Sequence, residues 1–183
     1  KGKIMANIDA FKNDALKLGG ARANLFQITV SPPTGITTGL ASNLLEFTCK
    51  GGSLPGSVVA QIDVPYRGRQ MKVAGDRTFE NYTITVFNED AGGIRNAFER
   101  WMQGINEHAN NVGVKDPQGY QADITIRQLD RTNTVTNTYV LSDAFPVNLG
   151  AIELSYDAND AIEEFTVEFA YQYWTSTDSN IGA

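Results

Sequence analysis

The side chains that could carry out catalysis are few in this sequence, and they are far apart. His108 is the only histidine and Cys49 the only cysteine among the 183 residues. Covalent catalysis needs a nucleophile, a base and a group that orients the base, and no local spacing supplies that set. Cys49 alternates with the apolar Leu45 and Phe47, which predicts a buried structural thiol. The chain is therefore not expected to be an enzyme.

Patterns that would bind a metal or hydrolyse a glycoside are also weak. CxxC and HExxH spacings are absent. Residues 157–160 (DAND) are rich in oxygen ligands, but they lack the central glycine and the closing glutamate of a calcium loop, so an Asx-rich turn is favoured. Glu164 and Glu168 share one face of a predicted strand with Thr166, which indicates a solvated sheet face rather than paired catalytic carboxylates. We expect no metal and no cofactor.

One basic stretch contrasts with the rest of the chain. Arg67, Arg69, Lys72 and Arg77 lie within eleven residues of one another, although the formal net charge of the protein is −6. A single-stranded nucleic-acid site would need stacking aromatic residues among these cations, and few are present. The acidic balance also opposes duplex binding. A solvated hairpin and a contact with another subunit both remain open on this evidence.

The rest of the chain predicts a mainly β protein, an antiparallel β-sandwich or partly closed barrel with one amphipathic helix. The helix carries apolar side chains at i, i+4, i+7, i+8 and i+11 from Ile94, with Asn88 or Asp90 as the expected N-cap. A bend is expected at Phe145-Pro146. Alternating apolar residues predict strands within 24–31, 44–50, 58–66, 69–75, 82–88, 120–130, 135–142, 151–156 and 162–174.

Three parts of the chain are distinguished by their composition. We expect an N-terminal arm over 1–23, one β domain over 24–175 and a flexible polar tail over 176–183. The apolar runs fall short of the roughly 18 residues that a membrane span requires, and the N-terminus lacks the apolar region of a signal peptide. We therefore expect no membrane insertion by this chain.

A series of short motifs extends from about residue 20 to residue 174. In chain order they are 22–26 (RANLF), Cys49 ahead of Leu54-Pro55, 66–68 (YRG), 73–77 (VAGDR), 78–79 (TF), 84–86 (ITV), 88–90 (NED), Arg95, Phe98 and Trp101 in the helix, 128–130 (QLD), Tyr139, 144–146 (AFP) and 165–171 (FTVEFAY). Together, these motifs and their order resemble the tail tube proteins of contractile-tailed bacteriophages of the T-even type.

The resemblance implies a structural protein without enzymatic activity, cofactor or metal. Members of that family form hexameric rings that share a β-barrel and stack into a hollow tube inside a contractile sheath. The implied partners are the tail sheath, tape measure, baseplate and tail terminator proteins, with DNA passing through the lumen without specific binding. The implied location is the virion, after assembly in the host bacterial cytoplasm. Related tubes occur in type VI secretion and in contractile injection systems, so a phage-derived injection device is an alternative.

Within this resemblance, charged residues are expected to join neighbouring subunits or rings, and polar strand faces are expected to line the lumen. The basic side of the contact is Arg67, Gly68, Arg69, Lys72 and Arg77, and its acidic candidates are Glu89, Asp90, Asp157, Asp160 and Glu163. The lumen-facing candidates are Gln61, Asp63, Thr83 and Thr85.

A function of a different class is also open. A soluble β-sandwich that binds a small ligand would present a concave aromatic patch on a stable monomer, with Tyr139, Tyr171, Tyr173 and Trp174 as candidates. Their spacing is more typical of core residues, which weighs against this interpretation.

Overall fold

The computed structural model describes residues 21–40, 45–46, 48–90, 92–157 and 160–177. Residues 1–20 of the arm expected over 1–23 and residues 178–183 of the tail expected over 176–183 lie outside these residues, whereas Ser176 ends the last strand. The strands are β1 (Phe26–Val30), β2 (Cys49–Gly52), β3 (Val58–Tyr66), β4 (Arg69–Thr78), β5 (Tyr82–Phe87), β6 (Ala122–Leu129), β7 (Val135–Leu149), β8 (Glu164–Ala170) and β9 (Tyr173–Ser176), and the helices are α1 (Gly93–Ile105) and α2 (Pro117–Tyr120).

Seven of these strands form one curled antiparallel sheet. Its order is β1-β6-β7-β8-β5-β2, and β9 follows β8 along the same side of β7. The sheet curls far enough that a side chain on Gly52 of β2 would contact Ile28 of β1. No hydrogen-bonded pairing joins β1 to β2 within the described residues. The expected partly closed barrel with one amphipathic helix is therefore confirmed.

Helix α1 closes the core from one side. Ile94, Ala97, Phe98 and Trp101 are all buried on its inner stripe, as the apolar spacing predicts. The expected N-cap is wrong. The helix begins after Gly92, whose φ of 61° is left-handed, and no side chain caps it; glycine adopts that conformation at little cost.

Strand β7 is longer than expected, because Phe145-Pro146 does not end it. Proline is tolerated there because the pairing of β7 with β6 ends at Ala144, leaving β7 paired on one side only, with β8. The bend lies instead at Asp143, which has a φ of 57°. Its backbone N–H donates to Asp123 Oδ1 at 3.3 Å, which holds the bend in place.

Three other strand predictions are corrected. Leu45, Glu46 and Thr48 are helical, so the strand predicted over 44–50 begins only at Cys49. Residues 151–156 form no strand and are mostly exposed. The strand predicted over 162–174 is interrupted between β8 and β9, so Trp174 packs against the core in place of Tyr173.

Two weakly acidic side chains face the core from β2 and β5: Cys49, expected to be buried, is half-buried, and Tyr82 is buried. Tyr82 is 2% exposed, and its hydroxyl has no hydrogen-bond partner within the described residues. Burial raises the pKa of Tyr82 well above its usual value and raises the pKa of Cys49 to about 11. Both groups are therefore neutral in the folded protein at pH 7.

Stability is expected to fall at alkaline pH, and Tyr82→Phe is expected to reduce that fall. The pKa of Tyr82 is higher in the folded protein than in the unfolded chain, where it is about 10 for tyrosine. This difference stabilises the folded protein fully at pH values below about 10, and the stabilisation is lost as the pH rises further. Urea unfolding at pH 7 should give Tyr82→Phe a free energy of unfolding within about 1 kcal/mol of the parent value. Between pH 7 and pH 10.5, this free energy should fall less for Tyr82→Phe than for the parent. Tyr156→Phe, at a fully exposed tyrosine, is the control. Identical pH profiles for Tyr82→Phe and the parent would contradict the expectation.

Candidate assembly surface

Strands β3 and β4 form a hairpin that projects from the body of the subunit. They pair only with each other among the described strands, and every residue of the two strands is exposed except Gly75, which is half-buried. Nine residues of extended strand span about 30 Å. Residues 58–78 are called the projecting hairpin below. A two-stranded hairpin with no sheet beneath it is only marginally stable in water, so this element requires a partner.

One face of the projecting hairpin is apolar. Ile62 lies opposite Val73, and Val64 lies opposite Met71, so these side chains share a face with Tyr66. The five are between 39% and 65% exposed. A contiguous exposed apolar patch on a folded protein typically marks a binding surface.

The tip of the projecting hairpin is a two-residue turn with strain at one position. Arg67 has a φ of 43° and Gly68 a φ of 81°, the pair of positive values that a tight hairpin turn requires. Glycine supplies this conformation readily, whereas an arginine there costs about 1 kcal/mol. The Arg67 guanidinium lies 5.5 Å from the centroid of the Tyr66 ring. A strained backbone conformation at an exposed position favours a functional role for the Arg67 side chain.

The basic residues of the projecting hairpin have no ion-pair partner among the described residues of their own subunit. Arg67, Arg69, Lys72 and Arg77 are exposed, and none forms an ion pair within the described part of the chain. Asp63 lies opposite Lys72 in the register, but its carboxylate accepts a hydrogen bond from the side chain of Gln61, two residues earlier on the same strand. These cations are therefore available to an anionic surface elsewhere.

The acidic candidates lie at the other end of the barrel. Asn88 donates to Glu163 twice, from its backbone N–H to the carbonyl at 2.8 Å and from Nδ2 to Oε2 at 2.7 Å. Glu89 is half-buried, and its carboxylate lies near Gly93 at the start of α1, where no side chain caps the helix. The remaining three are exposed: Asp90, Asp157 and Asp160.

The lumen-facing candidates fall into two separate pairs. Thr83 lies opposite Glu168, and Thr85 opposite Thr166, on the polar face of the β5–β8 pair. Gln61 and Asp63 lie on the projecting hairpin, where Gln61 Nε2 donates to Asp63 Oδ1 at 2.8 Å. The structure of one subunit does not bring the two pairs onto one sheet.

The aromatic side chains proposed for a ligand patch mostly pack inward. Tyr139, Tyr171 and Trp174 are half-buried against the core, and the rings of Tyr139 and Trp174 are 5.9 Å apart. Trp174 Nε1 donates to the Gly56 carbonyl at 3.2 Å. These three residues support the base of the projecting hairpin rather than a concave binding patch.

The described ranges offer neither a metal site nor a membrane-spanning helix. They contain no group of three or more His, Cys, Asp or Glu side chains placed to hold a metal ion. Among the helices of those ranges, none is long and apolar enough to cross a bilayer. The projecting hairpin is therefore the strongest candidate functional surface that these residues offer.

Comparison with known proteins identifies relatives along most of the chain. A family model described as "Phage tail tube protein" matches residues 21–177. The tail tube protein of Enterobacteria phage T4 is 35% identical over 155 residues, which cover 84% of this chain and 90% of the relative. The tail tube protein of Serratia phage KSP90 is 31% identical over 168 residues, covering 91% and 95%.

A similar fold occurs in a more distant protein. A chain in the six-fold symmetrised cryo-EM structure of the anti-feeding prophage baseplate superposes with a TM-score of 0.63 at 14% identity, covering 88% of this chain and 98% of that one. The family match and the relatives above 30% identity confirm the resemblance seen in the motifs. This chain belongs to the phage tail tube protein family, whose members are structural, non-enzymatic components of the virion.

Proposed function

We propose that six copies of this protein form a ring and that the rings stack into the hollow inner tube of a contractile phage tail. The observation that carries this proposal is the projecting hairpin, whose apolar face is left exposed by the described residues of its own subunit. Membership of the tail tube family supports a tube as the assembly, and the six-fold symmetry of the anti-feeding prophage structure supports six subunits per ring.

The polar face of the β5–β8 pair lines the lumen in this proposal. Thr83, Thr85 and Thr166 supply hydroxyls, and Glu168 supplies negative charge. Gln61 and Asp63 extend this surface from the projecting hairpin. A wall that is polar and acidic repels phosphate groups, so DNA would pass through it without being held.

The proposed partners surround the tube and close its ends. The tail sheath protein lies outside, the tape measure protein inside, and the baseplate and tail terminator proteins at the two ends. One fold neighbour is a chain from the cap that terminates the anti-feeding prophage tube, with a TM-score of 0.62 at 17% identity. We also propose that assembly takes place in the cytoplasm of the host bacterium.

A phage-derived contractile injection device is the second candidate. The fold shared with anti-feeding prophage chains favours it, whereas the relatives above 30% identity come from phages. Imaging of the native particle separates the two, because a phage tail carries a DNA-filled head and an injection device does not.

Negative-stain microscopy tests the assembly. Purified protein added to fragments of the native tube as seeds should extend them with the same diameter, and end views should show six-fold rings. Protein that stays monomeric on the seeds, and is absent from the tube of the native particle, would contradict the proposed function.

A further inference from the structure

Two exposed surfaces of the subunit lie at opposite ends of the β5–β8 pair. The projecting hairpin joins β5 at Tyr82, which lies opposite Phe169. The chain enters β8 at Glu164, which lies opposite Phe87 at the far end of β5. Six paired residues separate these ends by roughly 17–20 Å. The two surfaces therefore point away from each other along the strands.

The base of each surface is fixed to its own end. At the hairpin end, the rings of Phe79 and Tyr171 are 5.8 Å apart, and Trp174 is hydrogen-bonded to Gly56. At the other end, Asn88 holds Glu163 through the two hydrogen bonds described above. Neither surface covers the other, since both are exposed.

The second surface is apolar and acidic. It comprises residues 151–157 and 160–163, here called the acidic segment. Leu154, Tyr156 and Ile162 are 80%, 102% and 70% exposed, an unusual degree for large apolar side chains. Its charged side chains are all acidic and all exposed: Glu153, Asp157, Asp160 and Glu163.

The two surfaces are complementary in both charge and apolarity. The projecting hairpin has four basic and two acidic residues, and the acidic segment has four acidic and no basic residues. Each also presents large apolar side chains that nothing in the described residues of its own subunit covers. Apolar contact would supply most of the affinity, and the charges would select the partner and its register.

We infer that the projecting hairpin of one subunit docks on the acidic segment of a second copy, in a head-to-tail contact. This rests on the proposed function and extends it by naming the receiving surface. Because the two surfaces differ and lie at opposite ends, the contact is heterologous and repeats without closing on itself as a dimer. Among the acidic candidates it selects Asp157, Asp160 and Glu163, which lie in the acidic segment and are exposed, over Glu89, which is half-buried beside the start of α1.

Two reversed-charge variants of the full chain test the contact. The hairpin variant carries Arg67→Glu and Arg69→Glu, and the segment variant carries Asp157→Lys and Asp160→Lys. All four positions are exposed, so both variants should unfold at the parent temperature. Each variant alone opposes like charges, and we expect growth on tube seeds to fall about tenfold or more.

An equimolar mixture of the two variants should restore growth. When the two variants alternate, the acidic hairpin of the hairpin variant meets the basic segment of the segment variant. The native basic hairpin of the segment variant then meets the native acidic segment of the hairpin variant. Glu99→Lys with Glu107→Lys makes the same charge change at one residue of α1 and at one just after its end, and should extend seeds as the parent does.

The outcomes separate this inference from the proposed function. If the parent extends seeds and the segment variant does so equally well, the inference is overturned while the tube stands. A mixture of folded variants that remains unassembled also overturns it. If the parent itself does not extend seeds, the proposed function fails and the inference fails with it.

Discussion

Subunits carrying Arg67→Glu and Arg69→Glu are expected to fold normally and to form at least about tenfold less tube than the parent. Both side chains are exposed on the projecting hairpin, and neither has an ion-pair partner within the described part of its own subunit. Their reversal therefore breaks no ion pair of the described residues and removes only the exposed contact of Arg67 with the Tyr66 ring. A single surface ion pair contributes at most about 1 kcal/mol, but in the proposed contact the reversed charges would repel at every repeat of the assembly.

Two measurements accompany this prediction. Thermal unfolding should give the parent midpoint, and seeded growth should be scored as tube length by negative stain. Lys115→Glu with Arg131→Glu, also at exposed positions, makes the same change in net charge away from the hairpin and should leave tube length unaltered. High salt screens surface repulsion, so growth of the hairpin variant should recover in part. Tubes of parental length from the hairpin variant at low salt would refute the proposal.

Trp101→Ala is expected to destabilise the subunit by about 3–5 kcal/mol. Trp101 is fully buried between α1 and the sheet, where its ring lies 6.3 Å from Phe98 and 6.2 Å from Phe169. Its Nε1 donates to the Tyr120 carbonyl at 2.7 Å, so alanine leaves both a cavity and an acceptor without its donor. Domains of this kind are stable by only about 5–15 kcal/mol, so a large share of the total would be lost.

Urea unfolding at pH 7 measures this effect, with Trp174→Ala as the matched comparison. Trp174 is only half-buried, and its indole N–H donates to a more distant carbonyl at 3.2 Å. Its removal should cost clearly less than the removal of Trp101. Equal losses from the two substitutions would show that α1 is not the anchor of this core.

The alternation of apolar and polar residues predicted the positions of most of the strands. The expected strands 58–66 and 82–88 match β3 and β5 to within one residue, because side chains on a strand point alternately to opposite faces. The inner stripe of α1 was equally clear. The continuity of β7 through Pro146 was not predictable, since it depends on β7 having no second neighbour at that point. The break near Tyr171 likewise depends on tertiary pairing, since β8 and β9 pair with β7 on the two sides of its bend at Asp143.

The candidate surface was predictable only in part. The basic residues from Arg67 to Arg77 are visible in the sequence. The apolar residues between them, such as Ile62 and Met71, have the alternation of a core strand, yet they are exposed in the subunit. Alternation shows that a face will be covered but does not show which chain covers it. The exposed Leu154 and Tyr156 were missed for the same reason, because the pattern of 151–156 is also typical of a strand.

The isolation of the projecting hairpin has a kinetic consequence for the start of polymerisation. A hairpin with no sheet beneath it loses conformational entropy when it docks, and the first contact must offset that loss alone. Later subunits join several ordered neighbours at once, so each addition is more favourable than the first. Growth from free subunits should therefore show a lag and a critical concentration, and a preformed template should abolish the lag. The low stability of a hairpin without a supporting sheet would thus delay polymerisation until a template is present.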